Sequence, residues 1–446
     1  MTRTRIKTGI SIAALFTAGL NTTMAASECD VIFPVGGTVG GTPGAVAEYQ
    51  GELFVLGTFS SADGLSANGL IRFDGKSWQQ VAHGVGIGSL YSGDNHLLEY
   101  EGKLILTGGN VNPLDADGQD LPVPGVLTWD GESWGSIGEQ ACGFTLASGV
   151  YQGDLVIGFY DSNDAGCEHP EYGFDDPIRG VARWDGEHWE QLGDTSDFDH
   201  VTALIEFEGD LIAGDFSGVV RRWDGESWQV IGEADNRVYV LEILDGDLIV
   251  GGRFDEIDGT IVNGIARLQD GVWTDMDGGF SSSGALRVSA LTMYNGQLHA
   301  GGRFNNASGN SAFNVARWTG EAWESIGPSP DGWVLDLTEY QGMLAGCGGF
   351  QQVSGPEIGE VIARRTFAHI GCEITGACCV DGGCVELSAE DCLAAGGTYH
   401  GDQSICAKVS CPPYCPADLN NDGTVDVLDL LMLLNNWGVC PDKSAQ

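Results

Sequence analysis

The residues best suited to chemistry lie near the C-terminus. Asp418, Asn420, Asp422, Thr424, Asp426 and Asp429 occupy places one, three, five, seven, nine and twelve of a single loop. Carboxylate and amide oxygens are hard ligands suited to Ca2+, and the seventh place offers its backbone carbonyl. Gly423, at the sixth place, permits the sharp turn such a loop needs. The chemistry predicted is coordination of Ca2+ rather than transfer of a group. Asp429 also opens an apolar run, residues 430–434, which reads as a short helix. Cys415 and Cys440 bracket loop and helix and are placed to be bridged.

Other reactive residue types are scattered. The eight histidines, His83, His96, His169 and His200 among them, have no metal-ligand spacing and no partner Ser or Cys to activate. Two carboxylates suffice for glycoside hydrolysis, but among 63 Asp and Glu residues no pair stands out. Catalytic residues are therefore unassigned. Thirteen cysteines all follow residue 26, eight of them in the last 70 residues. Such density in a short stretch reads as a disulfide framework. Cys378, Cys379, Cys384, Cys392, Cys406 and Cys411 would staple a module too small to rely on an apolar core, with connectivity open. An odd total leaves at least one cysteine without a partner inside the chain.

What must position these features is an internal repeat. An aromatic-x-Gly-x-Leu anchor recurs at Gly51, Gly102, Gly153, Gly209, Gly246, Gly296 and Gly342. A second anchor follows as Phe73, Trp129, Trp184, Trp223, Leu268 and Trp318, and then a tryptophan as Trp78, Trp134, Trp189, Trp228, Trp273 and Trp323. Each copy reads as four short strands, and four strands per repeat of ~50 residues make a propeller blade. Asp-Gly between the third and fourth strands, as at Asp130-Gly131, predicts a two-residue hairpin, and x-Gly between the first and second works similarly. The tryptophans are expected as apolar wedges between neighbouring sheets. The recurrent Arg72, Arg183, Arg222, Arg267, Arg317 and Arg364 are expected to pair with a local carboxylate or carbonyl. The seventh copy, Val361-Ile-Ala-Arg-Arg365, lacks Asp-Gly and the tryptophan. Its fourth strand is either residues 367–370 or the N-terminal segment 31–35, with Cys29 and Cys372 placed to staple the array. Residues 110–124 and 161–179 are the longest insertions, and Cys142 and Cys167 are placed to staple one of them.

Residues 1–26 begin with Arg3, Arg5 and Lys7, continue in an apolar run and end in small residues, the pattern of a secretory signal peptide. Its removal leaves 17 basic residues of the 20 against 63 acidic ones, a formal net charge of −46. So acidic a surface repels nucleic acid and anionic lipid. No later stretch approaches a membrane span. Secretion, or a cell-surface or periplasmic location, is expected.

The repeat resembles those of kelch-like propellers. It is more similar still to the Y-x-G-x-L…G-G-x-F…I-A-x-W-D-G-x-x-W-x-x-L-G repeats of bacterial surface proteins and fungal cell-polarity markers. That resemblance implies a propeller and an extracellular interaction role, and carries no catalytic residue over. The Ca2+ loop has EF-hand spacing. With the run Leu430-Leu-Met-Leu-Leu434 it resembles the type I dockerin repeat of cellulosome components, which has two such repeats where this chain has one. Framed by Cys415 and Cys440, it is similar to the single dockerin-like tails of exported proteins in planctomycete-type bacteria. This implies anchoring to a cohesin-like or envelope partner. The expected plan is all-β: a signal peptide (1–26), a seven-bladed β-propeller (27–373), a cysteine-rich module (374–412) and a dockerin-like EF-hand tail (413–441). The expected function is a secreted, Ca2+-binding interaction protein whose propeller displays a surface for carbohydrate or protein. The alternative is an extracellular polysaccharide-degrading glycosidase or lyase.

Overall fold

The computed structural model describes residues 31–34, 39–87, 95–108, 111–121, 126–138, 145–159, 180–326, 329–351, 353–355, 359–361, 366–370, 376–380, 383–387, 392 and 398–399. The expected signal peptide, Cys29, Cys142, Cys167, Arg364, Cys372, the insertion 161–179 and the whole expected Ca2+ loop lie outside them. The chain divides into two compact units, residues 1–371 and 372–446.

The described part of the first unit holds seven larger antiparallel sheets, six of four strands and one of five, with four smaller sheets of two or three strands beside them. Their first strands are Val39–Tyr49, His96–Tyr100, Thr145–Tyr151, Val201–Phe207, Val238–Leu244, Arg287–Tyr294 and Val334–Tyr340, which define sheets one to seven. These strands lie against one another in order, and that of sheet seven lies against that of sheet one. The arrangement is β-propeller-like, and it follows from the sequence period. A lone four-stranded sheet with two apolar faces must be covered on both, and radial stacking covers them.

The turns explain the recurring glycines. Each first-to-second connection is a two-residue turn with both residues at positive φ, such as Gln50 (53°) and Gly51 (79°). That is the type I′ turn, whose twist matches the strands it joins. The third-to-fourth connection departs from expectation. In most copies it spans four residues, with Phe73 facing Trp78, and Asp74 N–H donates to the Ser77 carbonyl at 3.3 Å. The Asp74 carboxylate accepts from the N–H groups of Ser77 and Lys76 at 2.8 Å each, which holds its pKa below the ordinary value. Asp130, Asp185 and Asp224 repeat this pattern. The aspartate thus caps the loop instead of occupying a two-residue turn. Only sheet five, with Asp270-Gly271 between paired Gln269 and Val272, has the two-residue form.

The tryptophans are wedges, as expected. Trp78, Trp189, Trp273 and Trp323 are buried among residues of two adjacent sheets. Each indole also has a polar handle on the preceding sheet in three copies. Trp189, Trp228 and Trp273 Nε1 donate to the carbonyls of Ile137, Leu192 and Ile231 at 3.1, 2.6 and 2.9 Å. Five of the recurrent arginines pair as expected. Arg72, Arg183, Arg222 and Arg267 meet Glu52, Asp154, Asp210 and Asp247, each the residue after an anchor glycine. Arg317, whose copy has Gln297 there, meets Glu324 at 3.7 Å.

Sheet seven draws on both ends of the unit. Its third strand is Thr366–Ile370 and its fourth is the N-terminal Val31–Pro34, in antiparallel register from Val31 opposite Ile370 to Pro34 opposite Phe367. Segment 367–370 is therefore not the fourth strand, and Gly359–Val361 belongs to a separate small sheet with Val353–Gly355. The copy lacks the tryptophan because its outer strand comes from elsewhere in the chain. Sheets seven and one are joined by Gln341 Nε2 donating to Gly51 O at 3.0 Å and by Val46 N–H donating to Asp336 Oδ2 at 2.8 Å. In the second unit, Gly376–Val380 pairs with Gly383–Leu387 and Thr398–Tyr399, and Cys379 and Cys392 are each buried and disulfide-bonded. Cys347 in sheet seven is a buried free thiol.

Candidate functional site

The strand ends opposite the type I′ turns carry two kinds of connection: loops between successive sheets and loops from second to third strands. In sheets five and six these loops place arginines at matching positions. Arg237 and Arg287 precede the buried Val238 and Val288; Val238 begins the pairing of its first strand, and Arg287 begins that of its own, opposite Arg303. Arg253 and Arg303 follow the glycine pairs Gly251-Gly252 and Gly301-Gly302.

The glycine pairs are steric requirements. A Cβ on Gly251 or Gly301 would come within 2.9 or 2.7 Å of the valine Cγ1 of the next sheet, Val288 or Val334. One on Gly252 or Gly302 would lie 2.2 or 2.1 Å from the carbonyl oxygen of Arg237 or Arg287. Backbone thus meets backbone at each second glycine, and Arg253 N–H donates to Arg237 O at 2.9 Å. The same contact in sheet seven places Trp333 where Arg237 and Arg287 stand, with Gly349 N–H donating to Trp333 O at 2.9 Å.

These residues interleave with aromatic rings across sheet boundaries. The Arg237 guanidinium lies 3.7 Å from the Phe216 ring centroid, Arg287 lies 4.0 Å from Tyr239, and Arg303 lies 5.6 Å from Trp333. Phe216 in turn neighbours Tyr239 and His200. Such contacts contribute about 0.5–1 kcal/mol each at exposed sites. Their main effect here is to hold flexible cations in place.

Tyr239 shows how one sheet departs from the scaffold. Each first strand from sheet three to sheet seven carries a β-bulge near its start. In sheets four and six the skipped residue is Thr202 or Ser289, whose hydroxyl donates to the carbonyl of Val238 or Val334 at 2.8 Å. Sheet five has Tyr239 at this position, and its ring lies under Arg287. A bulge re-aims one side chain, and here the re-aimed side chain is aromatic.

Two cavities of about 430 and 310 Å3 adjoin this strip. The larger is lined by Arg253, Asp255, Asn236 and Phe280, among others, and the smaller by Arg303, Asp331, Asn305 and Trp333. Ser282 and Gly284 line both and form the wall between them. That wall is braced, since Ser283 N–H and Oγ both donate to Asn305 Oδ1, at 2.7 and 2.9 Å. Gly284 lies beneath Arg303, where a Cβ would come within 3.0 Å of its guanidinium. Neither Arg253 nor Arg303 forms an ion pair among the described residues, unlike the recurrent scaffold arginines. Arginine cations, hydrogen-bonding amides and hydroxyls, one carboxylate per cavity among the described residues and the exposed ring of Trp333 together can hold a polar, partly anionic ligand.

Of the residues singled out by sequence, Asp418, Asn420, Asp422, Thr424, Asp426 and Asp429 fall outside the described residues. His200 sits beside the aromatic strip with Nδ1 2.9 Å from Asp199 Oδ1. His96 lies apart in sheet two, its pKa lowered to about 4 by burial. Insertion 110–124 contributes Val111–Pro113, paired with Val85–Ile87. Sequence reasoning missed the arginine face. Its signal was present: Arg-Val before the first strand and Gly-Gly-Arg-Phe after the second occur together only in copies five and six.

No protein-family model and no curated protein matches the chain. Solved structures similar to it include a computationally designed protein, Ika8, at 13% identity and TM-score 0.43, covering 76% of this chain and 99% of that one. Others are the extracellular domain of a putative hybrid two-component system from B. thetaiotaomicron (9%, TM-score 0.45, 79% and 42% covered) and YCF48 bound to D1 peptide (10%, TM-score 0.42, 76% and 96% covered). The similarity is one of β-propeller-like architecture.

Proposed function

We propose that this chain is an exported binding protein. Its seven sheets are the blades of one closed propeller, and its arginine and aromatic face takes an extracellular glycan. The observation that carries the reading is the strip in which Arg237, Arg287 and Arg303 stack on Phe216, Tyr239 and Trp333 beside two polar cavities. Aromatic rings give sugar C–H faces a platform, and fixed amides and carboxylates suit the hydroxyls. Binding is favoured over hydrolysis because each cavity is lined by a single carboxylate among the described residues, Asp255 in one and Asp331 in the other, whereas the two-carboxylate mechanism needs a facing pair.

The cysteine-rich module acts as a disulfide-stapled spacer, and the tail attaches the protein to an envelope or cohesin-like partner. The donor set of Asp418, Asn420, Asp422, Thr424, Asp426 and Asp429 is all oxygen and suits Ca2+. These residues would hold the ion and order the tail.

A glycan array with the mature full chain, with and without Ca2+, tests the reading. Retention of a glycan without release of reducing ends is expected, together with at least tenfold weaker binding by Trp333→Ala. Depolymerisation of any retained glycan, or retention indifferent to Trp333→Ala, would refute it. Calorimetric Ca2+ uptake by the full chain, lost in Asp422→Ala, tests the tail.

A further inference from the structure

We infer that the two cavities take an acidic polysaccharide, a glycan bearing uronate carboxylates, with Arg253 and Arg303 as its carboxylate receptors. This rests on the glycan-binding reading above and narrows it to a chemical class.

The first ground is where the charge lies. The chain carries 20 basic and 63 acidic residues, yet four arginines from two adjacent sheets share one face. The pairing is local: Arg287 and Arg303 are opposite each other in the strand register of sheet six, and Arg253 N–H bonds the Arg237 carbonyl in sheet five. Elsewhere an arginine of the repeat meets a carboxylate on its own sheet, as Arg183 meets Asp154 and Arg267 meets Asp247. Arg253 and Arg303 are exposed, lack such a partner among the described residues, and each lines a cavity. A guanidinium held in place presents a planar fork that matches a carboxylate bidentately.

The second ground is what accompanies the cations. Asp255 lies in the cavity with Arg253, and Asp331 in the cavity with Arg303. A carboxylate accepts hydrogen bonds and repels anions. A ligand suited to both must therefore present anionic groups and hydroxyl donors on the same unit. A uronate sugar does so. An acidic peptide supplies anions with few hydroxyls, and a neutral glycan supplies hydroxyls with nothing for the arginines. Trp333, 40% exposed, adds apolar surface for a ring face. The wall shared through Ser282 and Gly284 makes the cavities consecutive subsites for successive units of one chain.

The test measures binding of the mature full chain to polygalacturonate, carboxyl-reduced polygalacturonate, dextran sulfate and poly-glutamate by affinity electrophoresis and calorimetry. Polygalacturonate is expected to bind at least tenfold more tightly than the carboxyl-reduced polymer, the sulfated glycan or the polypeptide. Arg253→Gln and Arg303→Gln should each weaken it about tenfold, and Arg303→Lys should recover only part, since an ammonium cannot form the fork. Both arginines are exposed, so melting temperatures should not move. Stronger binding of the carboxyl-reduced polymer, still sensitive to Trp333→Ala, would overturn the uronate assignment and leave glycan binding standing. Preference for dextran sulfate or poly-glutamate would also overturn it. Retention of no glycan at all would overturn both.

Discussion

Asp336 occupies a position in its first strand where sheets one, three, four and six have Ala45, Ala147, Ala203 and Ala290. Its carboxylate accepts from Val46 N–H of sheet one at 2.8 Å and from its neighbour Leu337 N–H at 2.9 Å. Burial raises its pKa from 3.8 to about 7, more than those two hydrogen bonds lower it. The folded protein therefore keeps a proton that the unfolded chain releases near pH 4. The stability linked to that proton is fully present below the unfolded value and is lost as pH rises through about 7. Asp336→Asn does not titrate there, so the melting temperature of the natural protein relative to the variant should fall between pH 5 and pH 8. A few degrees is expected, at roughly 2–4 °C per kcal/mol for large domains. A difference independent of pH would assign the residue a purely steric role.

At the scale of the element, the tryptophan of the fourth strand joins sheets by area and by one directed bond. Trp228→Phe keeps most of the buried surface and removes the donor to Leu192 O. The expected loss is about 1 kcal/mol, the net worth of one such bond, and urea unfolding of the two proteins would measure it. Trp273→Ala removes the wedge as well and should cost about 3–5 kcal/mol. Tyr239→Ser reports on function instead. It restores the hydroxyl of sheets four and six at that bulge and removes the ring beneath Arg287. Stability should hold while glycan affinity falls about tenfold.

Across the whole molecule, sheet seven depends on a strand from the other end of its unit. Without Val31–Pro34, the Thr366–Ile370 strand becomes an open edge, which invites pairing with other chains. A mature chain beginning at residue 36 should melt several degrees lower and associate with rising concentration, as light scattering would detect. Net charge acts at this scale too. A chain at −43 repels a polyuronate at long range, and 0.1 M salt screens beyond ~10 Å. Affinity for polygalacturonate should therefore rise from low salt to about 0.1 M and weaken at higher salt as the arginine contacts are screened.

The repeat was legible because its features act within one copy. Turn glycines, strand apolarity and turn aspartates depend on residues close in sequence, and the period exposes them together with the recurring tryptophans. Even there, only the backbone showed that Asp74 caps a four-residue loop, because one dipeptide suits two connection lengths. The outer strand of sheet seven stayed ambiguous between two segments, since pairing Val31–Pro34 with Thr366–Ile370 spans the unit and leaves no local signature. The arginine face was hidden for the same reason. Arg237, Arg287 and Arg303 gain meaning from Phe216, Tyr239 and Trp333, each on a neighbouring sheet. The sequence alone determined the repeat, its first-to-second turns and the oxygen-donor spacing of the tail, all set by short-range geometry. Only the tertiary structure decided which residues meet across sheet boundaries, because the packing of one sheet on the next brings together side chains that no local pattern relates.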